Sequence, residues 1–237
     1  MPLLLSIVVS GFNEEANVDA LFRRLLGFLD ARKVEGEIIF LDNHSTDRTG
    51  PLADRWARRD RRVHVVHRRN RPNRDLGSSL REGFARCRGR YVLIMDADLS
   101  HDPEDIPRLL EHRQEADIII GSRFTPGGRA DMPFRRTLIS RSYNLVARLL
   151  SGVPAHDITT GFKLYRRAVL DRLVLVNNGF GLHVEILLKA FRAGATIREV
   201  PIHYRARVGG DSKLSYRRQF RRYWDPVWDA FRIRMGF

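Results

Sequence analysis

An α/β fold, with a mainly parallel sheet covered by helices on both faces, is predicted by three observations. Short apolar runs rich in Ile, Val and Leu alternate with stretches of helical periodicity, and each run ends in a polar cluster. The chain of 237 residues, 43% of them hydrophobic, is also long enough for one well-cored domain. The elements follow in order. Leu3 to Ser10 reads as the first strand, and after Gly11 the apolar positions Val18, Leu21, Phe22, Leu25, Leu26 and Leu29 mark a helix. The pattern recurs with Glu37 to Leu41 before a helix near Asp47 to Arg59, and with Val63 to Val66 before a helix near Asp75 to Cys87. Tyr91 to Met95 precedes a helix near Pro103 to Arg113, for which Asp102 is the expected cap, as Asp47 is for the second helix. Ile118 to Ile120 is a fifth apolar run.

After Arg123 the pattern changes. Thr125-Pro126-Gly127-Gly128 is a loop, followed by a helix near Phe134 to Ser151, a mixed segment through Tyr165, a helix near Val184 to Ala193 and a strand over Thr196 to Tyr204. With no repeat and no linker, residues 1–122 and 123–214 are expected to be two halves of one domain. Arg205 to Leu214, with Gly209 and Gly210, reads as a mobile loop. Beyond it Tyr216, Phe220, Tyr223, Trp224, Val227, Trp228, Phe231 and Met235 recur at helical spacing, giving an amphipathic C-terminal helix over 215–237 that Pro226 should kink.

Composition narrows the functions. One cysteine, Cys87, excludes an intrachain disulfide and a cysteine-built zinc site, and fits a reducing, cytoplasmic setting. No uncharged stretch reaches the roughly 20 residues that span a bilayer. The net charge of +14 favours an anionic partner: nucleic acid, a membrane surface or a phosphorylated substrate. Thirteen arginines lie between Arg55 and Arg90, and nine basic residues between Arg205 and the C-terminus. A nucleic-acid module would leave the acidic strand ends unexplained, because carboxylates beside its groove repel phosphates.

Those strand ends carry the chemistry. In an open parallel sheet, ligands gather where the strands end. Asp96-Ala97-Asp98 follows the fourth run, and an extended chain points Asp96 and Asp98 the same way, a pair that suits Mg²⁺ or Mn²⁺ shared with phosphate oxygens. Asp42 ends the second run and is able to accept from a base N–H, while Phe12, after the first, offers a ring for packing.

In the same order along the chain, Ser10 to Glu14, Asp42 to Thr49, Asp96 to His101, Gly121 to Phe124, Asp157 to Lys163 and Arg207 to Leu214 resemble the signatures of the dolichol- or polyprenol-phosphate mannose synthases, inverting glycosyltransferases of the Rossmann-like GT-A fold. The resemblance runs from about Leu3 to Leu214. It implies a nucleoside pocket of Ser10, Phe12, Glu14 and Asp42, a metal site of Asp96, Asp98 and Ser100, and Arg123 on the donor side. Arg136 and Ser140 match the acceptor-facing helix, Arg207 and Lys213 the mobile loop, and His183 with Glu185 a segment that orients the sugar. The chain departs from the family pattern at Ser10-Gly11-Phe12 in place of Pro-Thr-Tyr, at Asn43 in place of a second Asp, at Asp75 in place of Gly, and at Ala206 in place of Asp.

The implied reaction moves mannose from a nucleotide sugar, GDP-mannose by default and a uracil nucleotide otherwise, to a polyprenyl phosphate. A phosphate acceptor is already ionised near neutrality and needs no general base; for a hydroxyl acceptor such as a natural-product scaffold, Asp157 is the candidate base. A lipid acceptor requires peripheral contact with the cytoplasmic membrane face, for which the C-terminal aromatic stripe and its arginines are the candidate surface; the same stripe would alternatively close the core.

Overall fold

A computed structural model describes residues 3–68, 75–206, 224–229, 231, 232 and 235. Among them a seven-stranded sheet runs in the order β3-β2-β1-β4-β7-β5-β8, made of β1 (Leu5–Gly11), β2 (Gly36–Asp42), β3 (Val63–His67), β4 (Tyr91–Asp96), β5 (Ile118–Ser122), β7 (Lys163–Arg166) and β8 (Ile197–Pro201). All neighbours are parallel except those of β7, which pairs antiparallel with β4 and β5. Because side chains alternate across each strand, Ile7, Val9, Ile38, Phe40, Leu93 and Met95 face α1 (Glu15–Ala31), whose Val18, Leu21, Phe22, Leu25 and Leu29 are buried with them. Val8, Ile39, Leu41, Val92 and Ile94 face the opposite layer, where Leu80 of α3 (Leu76–Phe84) and Leu182, Ile186 and Leu187 of α7 (Leu182–Arg192) pack. Both faces are dry, as the unbroken apolar runs require.

Four expectations are corrected. The mixed segment through Tyr165 holds β7, which alternation alone does not reveal because both its ends are cationic, Lys163 and Arg166. The strand expected over Thr196 to Tyr204 divides at Ile202: β8 closes the main sheet, and β9 (His203–Tyr204) pairs instead with β6 (Arg129–Ala130). The helix expected from Pro103 starts as a 3₁₀ turn over Pro103–Asp105, capped by Asp102 accepting from Glu104 N at 2.9 Å, before α4 (Ile106–Glu111). The second helix, α2 (Thr49–Arg59), has Arg48 rather than the expected Asp47 at its N-cap, although Asp47, one residue outside, accepts from Thr49 N through Oδ1 at 2.9 Å.

The arginines between 55 and 90 are tied into the fold to a large extent. Arg55 meets Asp19 at 2.7 Å, Arg62 meets Asp60 and Asp30 at 2.6 Å, Arg68 meets Glu82 at 3.0 Å and Arg88 meets Glu37 at 2.6 Å. After α5 (Phe134–Ser151), β7 and the short α6 (Arg167–Leu170), α7 leads into β8. Of the C-terminal stripe, residues 224–229 are helical: Val227 is buried, Trp224 stacks edge-on against Tyr143 of α5 at 5.0 Å, and Trp228 is exposed. The expected loop residues Arg207 and Lys213 lie outside the described residues.

Candidate functional site

The chain leaves β1 toward β2 on one side and reaches β4 on the other, so the sheet order reverses between β1 and β4, and the carboxyl ends of these strands are where an open α/β sheet takes its ligand in a crevice. Ser10 and Asp96 are paired in register at that point, and Gly11 is paired with Asp42 one step along. Gly11 has to be glycine: a Cβ there would lie 2.7 Å from the Phe40 ring. The two loops beyond are laced together. Asn13 N donates to Ser45 Oγ at 3.0 Å, Thr46 N to Asn13 Oδ1 at 2.8 Å, and Glu14 N to Thr49 Oγ1 at 2.7 Å. Asn13 and His44 take positive φ, 52° and 61°, which short polar and imidazole side chains tolerate best. Phe12 is half-buried beside this lattice, and Glu14 Oε2 accepts from Asn17 Nδ2 at 2.8 Å.

Two of the departures noted in the sequence turn out to be one feature. Asn43 Nδ2 donates to Ser10 Oγ at 2.6 Å, while Asn43 Oδ1 accepts from the buried guanidinium of Arg68 at 2.8 Å. The amide donates to the hydroxyl and accepts from the guanidinium, so one side chain ties Ser10 to Arg68.

Asp96 and Asp98 frame the other wall. Asp96 is 35% exposed toward the crevice, whereas Asp98 is 3% exposed and its Oδ1 accepts from Ser100 N at 3.0 Å and Ser100 Oγ at 2.5 Å. Ser100, expected among the metal donors, is the group that orients Asp98. The turn is strained, with Leu99 at φ 59°. His101 is buried behind it, stacked on Phe162 at 5.1 Å and edge-on to Tyr204 at 5.3 Å, with Nδ1 3.7 Å from Asp96 Oδ2. Its role as a prop for Asp96 was not read from the sequence, although a histidine three residues past a strand-end acid pair is a usable signal. Among the described residues no three acidic, histidine or cysteine side chains form a closed metal cage. Two carboxylates at an open crevice nevertheless have the donor chemistry of Mg²⁺ or Mn²⁺, which prefers a few carboxylate oxygens and completes its shell with water and phosphate.

Arg123 and Asp157 form a buried pair: Arg123 Nε and a terminal nitrogen donate to the Asp157 carboxylate at 2.7 and 2.8 Å, and Arg123 N adds a third bond at 3.0 Å. Burial alone would raise the Asp157 pKa, but the charge and hydrogen bonds of Arg123 outweigh it and hold the carboxyl below the usual range. Asp157, the candidate base for a hydroxyl acceptor, is fully buried and bonded on both oxygens, to Arg123 and to Thr160 N. Arg123 also stacks against Phe124 and Tyr204, at 4.9 and 5.4 Å, so its guanidinium braces the rim.

Glu185 is likewise committed inside the fold. Expected on the acceptor side, it accepts from Val176 N at 3.0 Å, Asn177 N at 2.8 Å and Lys189 Nζ at 2.6 Å, which clamps the segment before α7. His183 is buried behind Gly161, where an added Cβ would sit 3.3 Å from its Nε2 and 3.6 Å from Asp96 Oδ1. Burial and the neighbouring Lys163 push its pKa down to about 3, so it stays neutral. Lys163, fully buried, is itself pushed down to about 7 by burial and donates to the carbonyls of Ile158 and His183 at 2.8 and 3.2 Å. Arg136 and Ser140 are half-exposed on α5. Arg136 lies near enough to Tyr204 to offset in part the burial, Asp96 and Asp98 that raise the Tyr204 pKa. Geometrically, Arg141 of α5 lies over Phe124 at 5.3 Å, and Phe124 also carries Arg123, which stacks on Tyr204.

A paired-carboxylate strand end at the switch point fits the class of nucleotide-sugar glycosyltransferases. Residues 6–174 match the family model described as "Glycosyl transferase family 2", and the chain belongs to that family. Similar curated proteins are the polyprenol monophosphomannose synthase of Mycolicibacterium smegmatis, 37% identical over 88% of this chain and 80% of the relative, and the undecaprenyl-phosphate mannosyltransferase of Micrococcus luteus, 40% identical over 80% of each. The dolichol-phosphate mannosyltransferase of Pyrococcus furiosus is 34% identical over 88% of this chain and 58% of its own length. The fold is shared with glucosyl-3-phosphoglycerate synthase of Mycobacterium tuberculosis, solved with Mn²⁺ and uridine diphosphate, at TM-score 0.72 and 20% identity, covering 99% of this chain and 81% of that one.

Proposed function

We propose that the chain transfers mannose from a nucleotide sugar, GDP-mannose in the first instance, to a polyprenyl phosphate. The observation that carries this reading is the contact chain from the Asp96–Asp98 loop through His101 and Tyr204 to Arg123, which sets a carboxylate pair suited to a metal-bound diphosphate beside basic groups suited to anions. The names of the relatives supply the sugar and the lipid. Asp96 and Asp98 would hold a divalent cation, which supplies charge neutralisation to the departing nucleoside diphosphate. Ser100 and His101 fix those carboxylates, and Arg136 and Ser140 face the acceptor. A phosphate nucleophile needs alignment rather than deprotonation, in keeping with the commitment of Asp157 to Arg123. Purified protein with Mg²⁺ or Mn²⁺ and a panel of guanine and uracil nucleotide sugars is expected to release nucleotide only when polyprenyl phosphate is present. Release without lipid, or only with an alcohol, would overturn the assignment.

The acceptor's bilayer calls for a docking surface, and no helix among the described residues is long and apolar enough to cross a membrane. α5 exposes Phe134 at 81%, with Leu138, Ile139, Leu145 and Leu149 also exposed, among Arg135, Arg141 and Arg148, and Trp228 is exposed on the helix that packs against Tyr143. This amphipathic, basic face is the one proposed to lie on anionic lipid. Since burying one leucine is worth about 1.5–3 kcal/mol, Leu145→Glu should weaken binding to anionic vesicles about tenfold or more in a flotation assay. Equal retention of the variant would remove α5 from the contact.

A further inference from the structure

His67, the last residue of β3, lies between two carboxylates: Nδ1 is 3.0 Å from Asp42 Oδ2, and Nε2 is 2.9 Å from Asp54 Oδ1 of α2. A neutral imidazole has one N–H and one lone pair, so it would turn the lone pair on one of these oxygens. Only the imidazolium donates to both. The arrangement is built in: Gly50 of α2 closes over the pair, and a Cβ there would lie 2.7 Å from Asp42 Oδ2 and 3.2 Å from His67 Cε1. The charged groups facing the ring are Asp42 from β2 and Asp54 from α2. The adjacent Arg68 turns its guanidinium away, to Glu82, Asn43 and Ser78.

The contacts continue toward the crevice. Asp42 Oδ1 accepts from Ser45 N at 3.1 Å, and Ser45 Oγ accepts from Asn13 N at 3.0 Å, next to Phe12. We infer that His67 is a positioning residue for the donor: as an imidazolium it fixes Asp42, and through Ser45 and Asn13 the Phe12 loop, so nucleotide-sugar affinity falls when His67 loses its proton. The inference rests on the reading of the crevice as a nucleotide-sugar site. Burial disfavours the charged ring, but hydrogen bonds to Asp42 and Asp54 outweigh it and raise the His67 pKa above the ordinary 6.5. The arrangement is therefore complete below 6.5 and is lost as pH rises through the raised value, on the alkaline side.

The test is calorimetric titration of the intact chain with GDP-mannose and a uracil nucleotide sugar in Mg²⁺, from about pH 6 to about pH 9, a range in which the ring changes charge and the sugar-linked diphosphate does not. Affinity is expected to fall about tenfold across one ionisation, the cost of about 1.4 kcal/mol per pKa unit. Nitrogen-detected imidazole spectra should show both His67 nitrogens protonated at the acid end of this range, and their loss of the proton should share the midpoint of the affinity change. His67→Gln should bind with a flat pH profile, its defect falling on donor KM rather than kcat. Asp54→Asn, a milder change at a half-exposed site, should move the alkaline limb to lower pH while Asp42 is untouched. A flat wild-type profile, a limb that survives His67→Gln, or a limb that Asp54→Asn leaves in place would overturn the inference. Absence of binding by any nucleotide sugar at every pH would instead overturn the donor reading, and this inference with it.

Discussion

Asp98→Asn is expected to lower sugar transfer about 100- to 1,000-fold, the equivalent of about 3–4 kcal/mol of lost charge stabilisation on the leaving diphosphate. The amide keeps the side chain's volume and can still accept from Ser100 N, so the fold should survive, which circular dichroism would verify. What is lost is the negative charge that draws a divalent cation into the crevice. Chelation of the metal from the wild-type protein should reproduce the defect, and excess Mn²⁺ should restore the wild type far better than the variant. A variant that kept near-normal turnover would mean that basic side chains alone neutralise the diphosphate, and the acid pair would need another explanation.

Asp157→Ala should be the most destabilising single change at the rim, by about 3–5 kcal/mol, because it strands the buried Arg123 guanidinium without a counter-charge. Urea denaturation measures the loss directly. Removing both charges with Arg123→Met and Asp157→Leu should recover much of it, which separates the cost of a broken pair from the worth of the pair itself. The sign with pH follows from the depressed Asp157 pKa. Its contribution is complete above the ordinary value of 3.8 and is lost as pH falls through the lower folded value, so the variant's deficit should shrink in strong acid. Were Asp157 a catalytic base instead, Asp157→Asn would abolish turnover with little change in stability.

The contrast between these two aspartates shows what the sequence can carry. Strand ends are local: Ser10, Asp42 and Asp96 close apolar runs, so their convergence on one rim follows from the parallel sheet. The same holds for Asp98, two residues past Asp96. Whether an acid is available or already committed depends on partners distant in sequence. Asp157 is bonded to Arg123, 34 positions away, and Glu185 to backbone amides of a segment that has no periodicity of its own. Ser10 and Asn43 read separately as two departures because 33 positions separate them, yet one hydrogen bond makes them a unit. β7 was missed for a related reason: a four-residue strand carrying Lys163 and Arg166 lacks the apolar signature, and the surrounding sheet rather than its own sequence imposes its conformation.

The antiparallel β7 also orders events on the ribosome. β3, β2, β1 and β4 all emerge within the first 96 residues and are hydrogen-bonded only to one another, apart from the outer edge of β4, so this block can assemble early. β5 emerges next, but it has no seat against β4. Its neighbour on that side is β7, which is synthesised only after α5, and its neighbour on the other is β8, later still. A nascent or truncated chain ending before Lys163 thus leaves unprotected the outer edge of β4 and both edges of the Ile118-Ile119-Ile120 run of β5, each a template for pairing with another chain. Joining β5 to the early block waits on a four-residue strand, and the far edge of β5 stays open until β8 follows.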